Sequence, residues 1–290
     1  MNFKNKITVI IVTYKTNKRI LENCLNSIDR NIKVIIIENS ENFELKEFFT
    51  KKYNNIKIYC TGSNTGYGKG NNFGINKVTT QYALILNPDT ICNKKFFLNL
   101  KKLININSNF HLLGCLYSKK NLENQAGYFN NSKVKKINQF TKVDWVKGFA
   151  LIINLKKFKN KKIFDENYFL FFEEIDLCKS IKNINGNVYI SNQLNVKHLG
   201  FKSSTNQKKS GNNQLEKLRN WHYLWSNFYY HRKHYGYFYS LQKNLIKLLS
   251  SLFKFLLFAI LMQSSKRDKF LYRFFGLLNS MTGQPSSFRD

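Results

Sequence analysis

Carboxylates placed at the ends of apolar runs are the residues of this 290-residue chain best suited to chemistry. Tyr82-Ala83-Leu84-Ile85-Leu86 reads as a buried strand and stops at the polar turn Asn87-Pro88-Asp89. In an open α/β sheet, ligands gather beyond the carboxyl ends of the strands, so Asp89 is where a metal or a nucleotide would be gripped. A second group, Glu173, Glu174 and Asp176, follows an aromatic run that starts at Tyr168. Carboxylates crowded beside apolar walls suit a general base. The same residues also read as the acidic first turn of an ordinary helix. His198 closes a short strand, and a lone histidine is more often structural than ligating unless it lies near Asp89.

These groups need a scaffold, and the N-terminal part supplies one. Ile7–Thr13 is an almost unbroken β-branched run, expected as a central parallel strand. A helix from about Arg19 to Arg30, a strand at Val34–Glu38, a short helix near Phe43–Lys52 and a strand at Ile56–Cys60 continue a βαβ alternation. Gly62–Gly74 is glycine-rich but is not a dinucleotide fingerprint, because Asn71 stands where a third glycine is required. It reads as a tight loop opening a helix to about Val78, its N–H groups turned toward an anion or a base. A helix at Lys94–Asn107 and a strand at Leu112–Tyr117 follow. Ser118–Lys142 reads as an excursion, Val143–Ile153 as one strand interrupted at Gly148, and Val188–Ser191 and Val196–Gly200 as two short strands.

A net charge of +30 points to an anionic partner, whether nucleic acid, a membrane surface or phosphorylated substrates, or else to a lysine-rich composition that is merely solvated. Lysine is spread along the whole chain, and no recognition helix, zinc pattern or RNA-binding aromatic signature stands out, so no specific nucleic-acid partner is expected. Five scattered cysteines without a C-x-x-C pair fit a reducing cytosol, and the start of the chain reads as lacking a signal peptide.

Taken in order, Ile11-Val12-Thr13-Tyr14, Ile37-Glu38-Asn39-Ser40, Asn64-Thr65-Gly66-Tyr67 with Asn71-Asn72, Leu86-Asn87-Pro88-Asp89, Trp145-Val146-Lys147-Gly148, Phe164-Asp165-Glu166, Phe172-Glu173-Glu174-Ile175-Asp176-Leu177 and His198 resemble the motifs of family 2 glycosyltransferases. The nearest pattern is that of rhamnosyltransferase-like enzymes of bacterial surface-polysaccharide synthesis, and the likeness runs from about Ile7 to Ser203. It implies a GT-A fold: a mixed, mostly parallel sheet flanked by helices, in a catalytic domain over 1–205. A nucleotide-sugar-binding half would span 1–92 and an acceptor half 93–205.

The resemblance also implies roles. Asp89 and His198 would hold a divalent cation, Mn²⁺ or Mg²⁺, on the diphosphate of a UDP- or dTDP-linked sugar. Thr13, Tyr14, Glu38, Asn64, Gly66, Asn71 and Asn87 would surround the nucleotide. Trp145, Gly148 and Glu173 would line the sugar and acceptor pocket. Glu174 would be the general base of an inverting transfer to a glycan or a polyprenyl-diphosphate-linked acceptor, with Glu173 and Asp176 as alternatives. The family usually has Asp where this chain has Glu38 and Glu174, which leaves open a catalytically degenerate relative acting as a membrane-bound partner.

Residues 206–290 change character. Trp221, Trp225, Tyr229 and Tyr230 are interleaved with arginine and lysine, and Tyr239–Met262 is apolar but carries Lys243, Lys247 and Lys254 on one helical face. A spanning helix does not carry such a stripe, so an amphipathic helix lying on the cytoplasmic membrane face, lysines toward anionic headgroups, is expected. The alternative is a helical pair packed on the protein.

Overall fold

The computed structural model describes residues 3–117, 124–199 and 211–289. Residues 118–123 of the expected excursion, Gly200 and the start of the C-terminal region at 206–210 lie outside the described residues. Two compact units are formed, one of residues 1–165 and 174–205, the other of 166–173 and 206–290. The short segment Glu166–Glu173 thus groups with the C-terminal helices and not with the catalytic domain expected over 1–205.

The first unit is built on a nine-stranded mixed sheet. Its first strands and helices are β1 (Ile7–Thr13), α1 (Lys18–Asn26), β2 (Lys33–Glu38), α2 (Lys46–Lys52), β3 (Ile56–Cys60), α3 (Tyr67–Asn76) and β4 (Tyr82–Leu86). Then come β5 (Thr90–Cys92), α4 (Phe96–Ile106), β6 (Leu112–Leu116), β7 (Ala126–Gly127), β8 (Thr141–Val143), β9 (Trp145–Val146), β10 (Ala150–Asn154), α5 (Glu173–Asn183) and β11 (Val188–His198). The strand order is β3-β2-β1-β4-β10-β6-β11-β5, with β8 also paired to β11. Pairing is parallel from β3 to β4, whereas β10 runs antiparallel to both β4 and β6.

Continuous β-branched runs arise because both faces of the central strands are covered. On β1, Ile7, Val9 and Ile11 enter one core with Leu21, Phe49 and Leu100 of α1, α2 and α4, while Ile10 enters a second core with Ile75 of α3 and Leu177 of α5. The expected single strand over Val143–Ile153 is instead three pieces. β9 pairs with β7 in a separate two-stranded sheet, β10 joins the main sheet, and Lys147-Gly148-Phe149 forms the bend between them. Conversely, the two expected strands near residues 190 and 197 are one. β11 shifts register between Ile190 and Asn195, and that irregularity lets it serve β6 at one end and β5 at the other.

The second unit packs α6 (Gly211–Tyr235), α7 (Tyr237–Ile260) and α8 (Ser264–Met281) against one another. Gly276 permits the approach of α8 to α6: a Cβ there would meet the Trp221 carbonyl oxygen at 2.2 Å. The segment Glu166–Glu173 lies along α6, with Tyr168 against Tyr229, Phe169 against His222, and the Ser226 hydroxyl donating to the Leu170 carbonyl at 2.9 Å. Trp221, Trp225 and Tyr230 are buried, and the Trp225 indole donates to the Gln284 carbonyl at 3.0 Å. The buried aromatic residues of α6 are thus used in packing within this unit. Among the described residues no helix is long and apolar enough to cross a membrane.

His222 sits fully buried in this unit. Its Nε2 contacts the Phe288 carbonyl at 2.8 Å, so Nε2 carries the proton and Nδ1 accepts from the Ser286 hydroxyl at 2.9 Å. Burial, with the nearby Arg289 charge, pushes its pKa down to about 4. Between that value and the ordinary one near 6.5 the unfolded chain binds a proton that the folded chain refuses, so stability is full above about pH 6.5 and falls as pH drops toward 4. The loss amounts to about 3 kcal/mol. Chaotrope unfolding followed by fluorescence at pH 7 and at pH 4.5 should show it, and His222→Gln should flatten the difference between the two pH values.

Candidate active site

Thr13 at the end of β1 and Glu38 at the end of β2 are adjacent partners in the parallel ladder. The buried Glu38 carboxylate accepts from the Thr13 hydroxyl at 2.7 Å, the Ser40 hydroxyl at 2.8 Å and the Lys15 backbone N–H at 3.0 Å. These three bonds, out of about four accepting sites on a carboxylate, tie the two strand-end loops together. Beside it opens a cleft of about 650 Å³, whose walls include Tyr14, Lys15, Lys18, Glu38, Ser40 and Asn64.

Asn39, absent from the expected site residues, anchors the glycine-rich loop. Its Oδ1 accepts from the Thr65 N–H at 3.1 Å, the Thr65 hydroxyl at 2.7 Å and the Thr61 hydroxyl at 3.0 Å, and its Nδ2 donates to the Gly66 carbonyl at 3.0 Å and to Asn64 Oδ1 at 3.2 Å. Gly66 caps α3 at φ +86°, a conformation that favours glycine. Asn71, expected beside the nucleotide, lies in α3. It is fully buried there, its Nδ2 donating to the Tyr67 carbonyl and its Oδ1 without a hydrogen-bond partner. Thr13 is buried in the same way. Asn72 joins α3 to the segment before Asp165, accepting from the Ile163 and Phe164 N–H groups and donating to the Phe164 carbonyl. The Asn39-Ser40 and Asn71-Asn72 pairs held the signal, since buried asparagines are kept where several backbone groups need partners at once.

Asp89 follows a turn closed by the Thr90 N–H on the Asn87 carbonyl at 3.0 Å. Asn87 takes part through its backbone, its N–H donating to the Phe149 carbonyl at 2.9 Å. The Asp89 side chain is 3% exposed, and its Oδ1 accepts no hydrogen bond. His198 Nε2 lies 3.3 Å from that oxygen, in ion-pair range. The β5–β11 ladder brings them together by aligning His198 with Thr90, and the Leu199 N–H donates to the Asp89 carbonyl at 3.0 Å. The imidazole stacks on Phe149 at 5.1 Å and meets Tyr117 edge-on. A buried carboxylate oxygen without a donor, faced by an imidazole nitrogen, is a donor set that fits a divalent cation. Among the described residues no group of three or more His, Cys, Asp or Glu gathers in one place, so a cation held here would take its remaining oxygens from a ligand.

Glu174 stands in the first turn of α5, its side chain 12% exposed, with Lys147 Nζ 3.7 Å from its Oε1. Gly148 lies against it: a Cβ on Gly148 would come within 3.4 Å of the Glu174 Cβ and 3.3 Å of the Tyr67 hydroxyl. That hydroxyl donates to the Gly148 carbonyl at 2.5 Å. The alternative bases fare differently. On a helix, side chains two apart point about 200° apart, so Asp176 faces away from Glu174, and it is buried. Glu173 is buried and groups with the second unit. Trp145, expected in the acceptor pocket, is half-buried against Gly127, where a Cβ would lie 2.9 Å from its ring.

One tripeptide thus meets several of these groups. Lys147 and Gly148 touch Glu174, Gly148 holds the Tyr67 hydroxyl at the head of α3, and Phe149 carries the His198 ring that faces Asp89.

Residues 8–176, more than half of the chain, match the family described as glycosyl transferase family 2. The low-salt glycan biosynthesis hexosyltransferase Agl10 of Haloferax volcanii is 24% identical over 202 residues, 63% of this chain and 63% of that protein. The chain therefore spans less than two thirds of that relative. Rhamnosyltransferase WbbL of Escherichia coli is 27% identical over 201 residues, 59% of this chain and 75% of the relative. Among solved structures, the mannosyltransferase PcManGT of Pyrobaculum calidifontis, in complex with GDP-Man and Mn²⁺, aligns with a TM-score of 0.54 at 10% identity, covering 95% of this chain and 87% of that one, which shows the fold. With its mixed sheet flanked by helices and a family match over the residues 8–176 that include Glu38, Asp89 and Glu174, the chain belongs to glycosyl transferase family 2 and has the GT-A fold.

Proposed function

We propose that this protein is an inverting, metal-dependent glycosyltransferase that moves a hexose, such as rhamnose, from a nucleoside diphosphate to a hydroxyl of a glycan or a polyprenyl-diphosphate-linked acceptor. The observation that carries this reading is the Lys147-Gly148-Phe149 bend, which puts the Glu174 carboxylate on one side and the Asp89–His198 pair on the other. In this reading the enzyme serves surface-polysaccharide synthesis from the cytoplasmic face of the membrane.

The geometry supports the following roles. Tyr14, Lys15 and Asn64 on the cleft walls meet the nucleotide, and Asn39 holds the loop that closes over it. Asp89 and His198 would hold Mn²⁺ or Mg²⁺, which offsets negative charge on a departing diphosphate. Glu174 takes the proton of the acceptor hydroxyl at its carboxylate, and that oxygen then attacks the anomeric carbon from the side opposite the leaving group, inverting it. The Tyr67–Gly148 bond keeps the glycine backbone, and with it the space in front of Glu174, in place. The cation is supported by the Mn²⁺ bound in the similarly folded mannosyltransferase.

Calorimetric titration of the purified chain with UDP, dTDP and GDP, with and without Mn²⁺, tests this. Binding of one diphosphate only when the metal is present is the expected result. Folded protein that binds none of them would remove the donor site.

A further inference from the structure

In α7 the usual arrangement of an amphipathic helix is reversed. Its polar side chains Ser240, Asn244 and Ser251 are buried, and Lys247 turns in the same direction, donating to Asn227 Oδ1 on α6 and to Asn244 Oδ1, both at 3.1 Å. The Ser240 hydroxyl donates to the Phe228 carbonyl at 2.8 Å. The opposite side is apolar and open: Phe238 is 84% exposed, Ile246 78%, Phe253 66% and Ile260 78%, with Leu249 and Leu256 also exposed. At 100° per residue these six fall within one quadrant of the helix, roughly 180° from the buried polar set. The lysine stripe expected to face headgroups is in part consumed within the bundle. The surface left outward is the greasy one.

Its surroundings are cationic. Lys243 and Lys254 run along one margin of the apolar stripe, and Lys266 and Lys269 follow at the start of α8, all four exposed. No Asp or Glu occurs on α7, and the single acidic residue of α8, Asp268, is already paired with Lys217 and Arg267. From Gly211 to the end of the sequence there are twelve Lys and Arg against three Asp and Glu.

We propose that α7 lies in the surface of an anionic membrane, its Phe238-to-Ile260 stripe sunk among the acyl chains and its marginal lysines on the phosphates. A second copy of the chain fits this face less well. A 24-residue helix offers a strip about 36 Å long and about 10 Å wide, roughly half the area per partner of a stable interface. Pairing two stripes would also oppose Lys243 and Lys254 with their counterparts in a chain of net charge +30. Anionic lipid supplies both the apolar phase and the countercharge. This inference rests on the membrane placement proposed above and is independent of sugar transfer.

Flotation of the full chain with phosphatidylcholine vesicles containing phosphatidylglycerol, beside pure phosphatidylcholine vesicles, tests it without donor, metal or turnover. The chain should float with the anionic vesicles. Ile246→Ser, Phe253→Ser and Ile260→Ser replace side chains that hold no part of the fold, and each should weaken binding about tenfold. Lys243→Gln with Lys254→Gln should weaken it further and reduce its salt sensitivity. Failure of the folded wild type to float overturns the proposal, as does serine-variant flotation equal to wild type. A dimer in solution that the serine substitutions dissociate would assign the face to a second copy instead.

Discussion

Asp89→Ala should abolish the metal-dependent part of nucleoside diphosphate binding and lower transfer by roughly 10²–10³-fold, the scale set by removing a group that stabilises developing charge on a leaving oxygen. The reason is local. Asp89 presents a buried oxygen with no hydrogen-bond donor, and His198 Nε2 is 3.3 Å away. A carboxylate kept dry beside an imidazole does little for stability unless something occupies the space between them and solvent. Alanine leaves the Leu199 N–H bond to the residue 89 carbonyl intact, so the β5–β11 pairing should survive, and an unchanged unfolding midpoint would confirm that binding, not folding, was lost. His198→Ala should act in the same direction and weaken Mn²⁺-dependent binding. If Asp89→Ala binds UDP, dTDP or GDP as the wild type does with Mn²⁺ present, the carboxylate holds no cation.

Glu174→Gln should separate binding from chemistry. Loss of a general base costs about 10²–10⁴-fold in turnover, while diphosphate binding in the cleft beside Tyr14 and Asn64 stays as in the wild type. Glutamine keeps the size of the side chain, so the close fit of Gly148 against Glu174 is undisturbed. Glu174→Asp is the informative companion. It withdraws the carboxylate by one methylene toward the helix, and the ion pair with Lys147, already 3.7 Å, should lengthen. Turnover equal to or above wild type in the aspartate variant would show that glutamate slows the reaction. Nucleotide binding with no transfer in either form would mark a protein that keeps the fold as a partner and not as an enzyme.

Substitutions on the greasy face and at Asp89 or Glu174 should therefore report separately. Serine substitutions on α7 should leave nucleotide titrations unchanged, and Glu174→Gln should leave vesicle flotation unchanged. The pH response of His222 belongs to the helical unit alone, and it should appear as lost stability below pH 6.5 in protein in which Asp89 or Glu174 is replaced.

Much of this was legible in the chain itself. Runs such as Ile7–Thr13 and Tyr82–Leu86 have one physical solution, a strand covered on both faces, and the polar residues that end them mark where ligands can reach. The Asn-Pro-Asp turn, the acidic start of α5 and the glycine at the head of α3 are local features, and local sequence determines them. From the residue pattern alone the partnership of Asp89 with His198 was not legible; the family resemblance implied it, and the β5–β11 register across more than a hundred residues brings the two together. Nor was the division of Val143–Ile153 into separate strands, which follows from the different neighbours that β9 and β10 find. The same holds for the roles of Asn39 and Asn72, whose amides matter only once loops from distant segments converge on them. The tail shows the difference most sharply. Periodicity alone identified two faces on α7, one apolar and one basic, but a helical wheel has no inside. Only packing against α6, where Asn227 and the Phe228 carbonyl offered hydrogen-bond partners to Lys247 and Ser240, decided that the polar face would be buried and the apolar face left open.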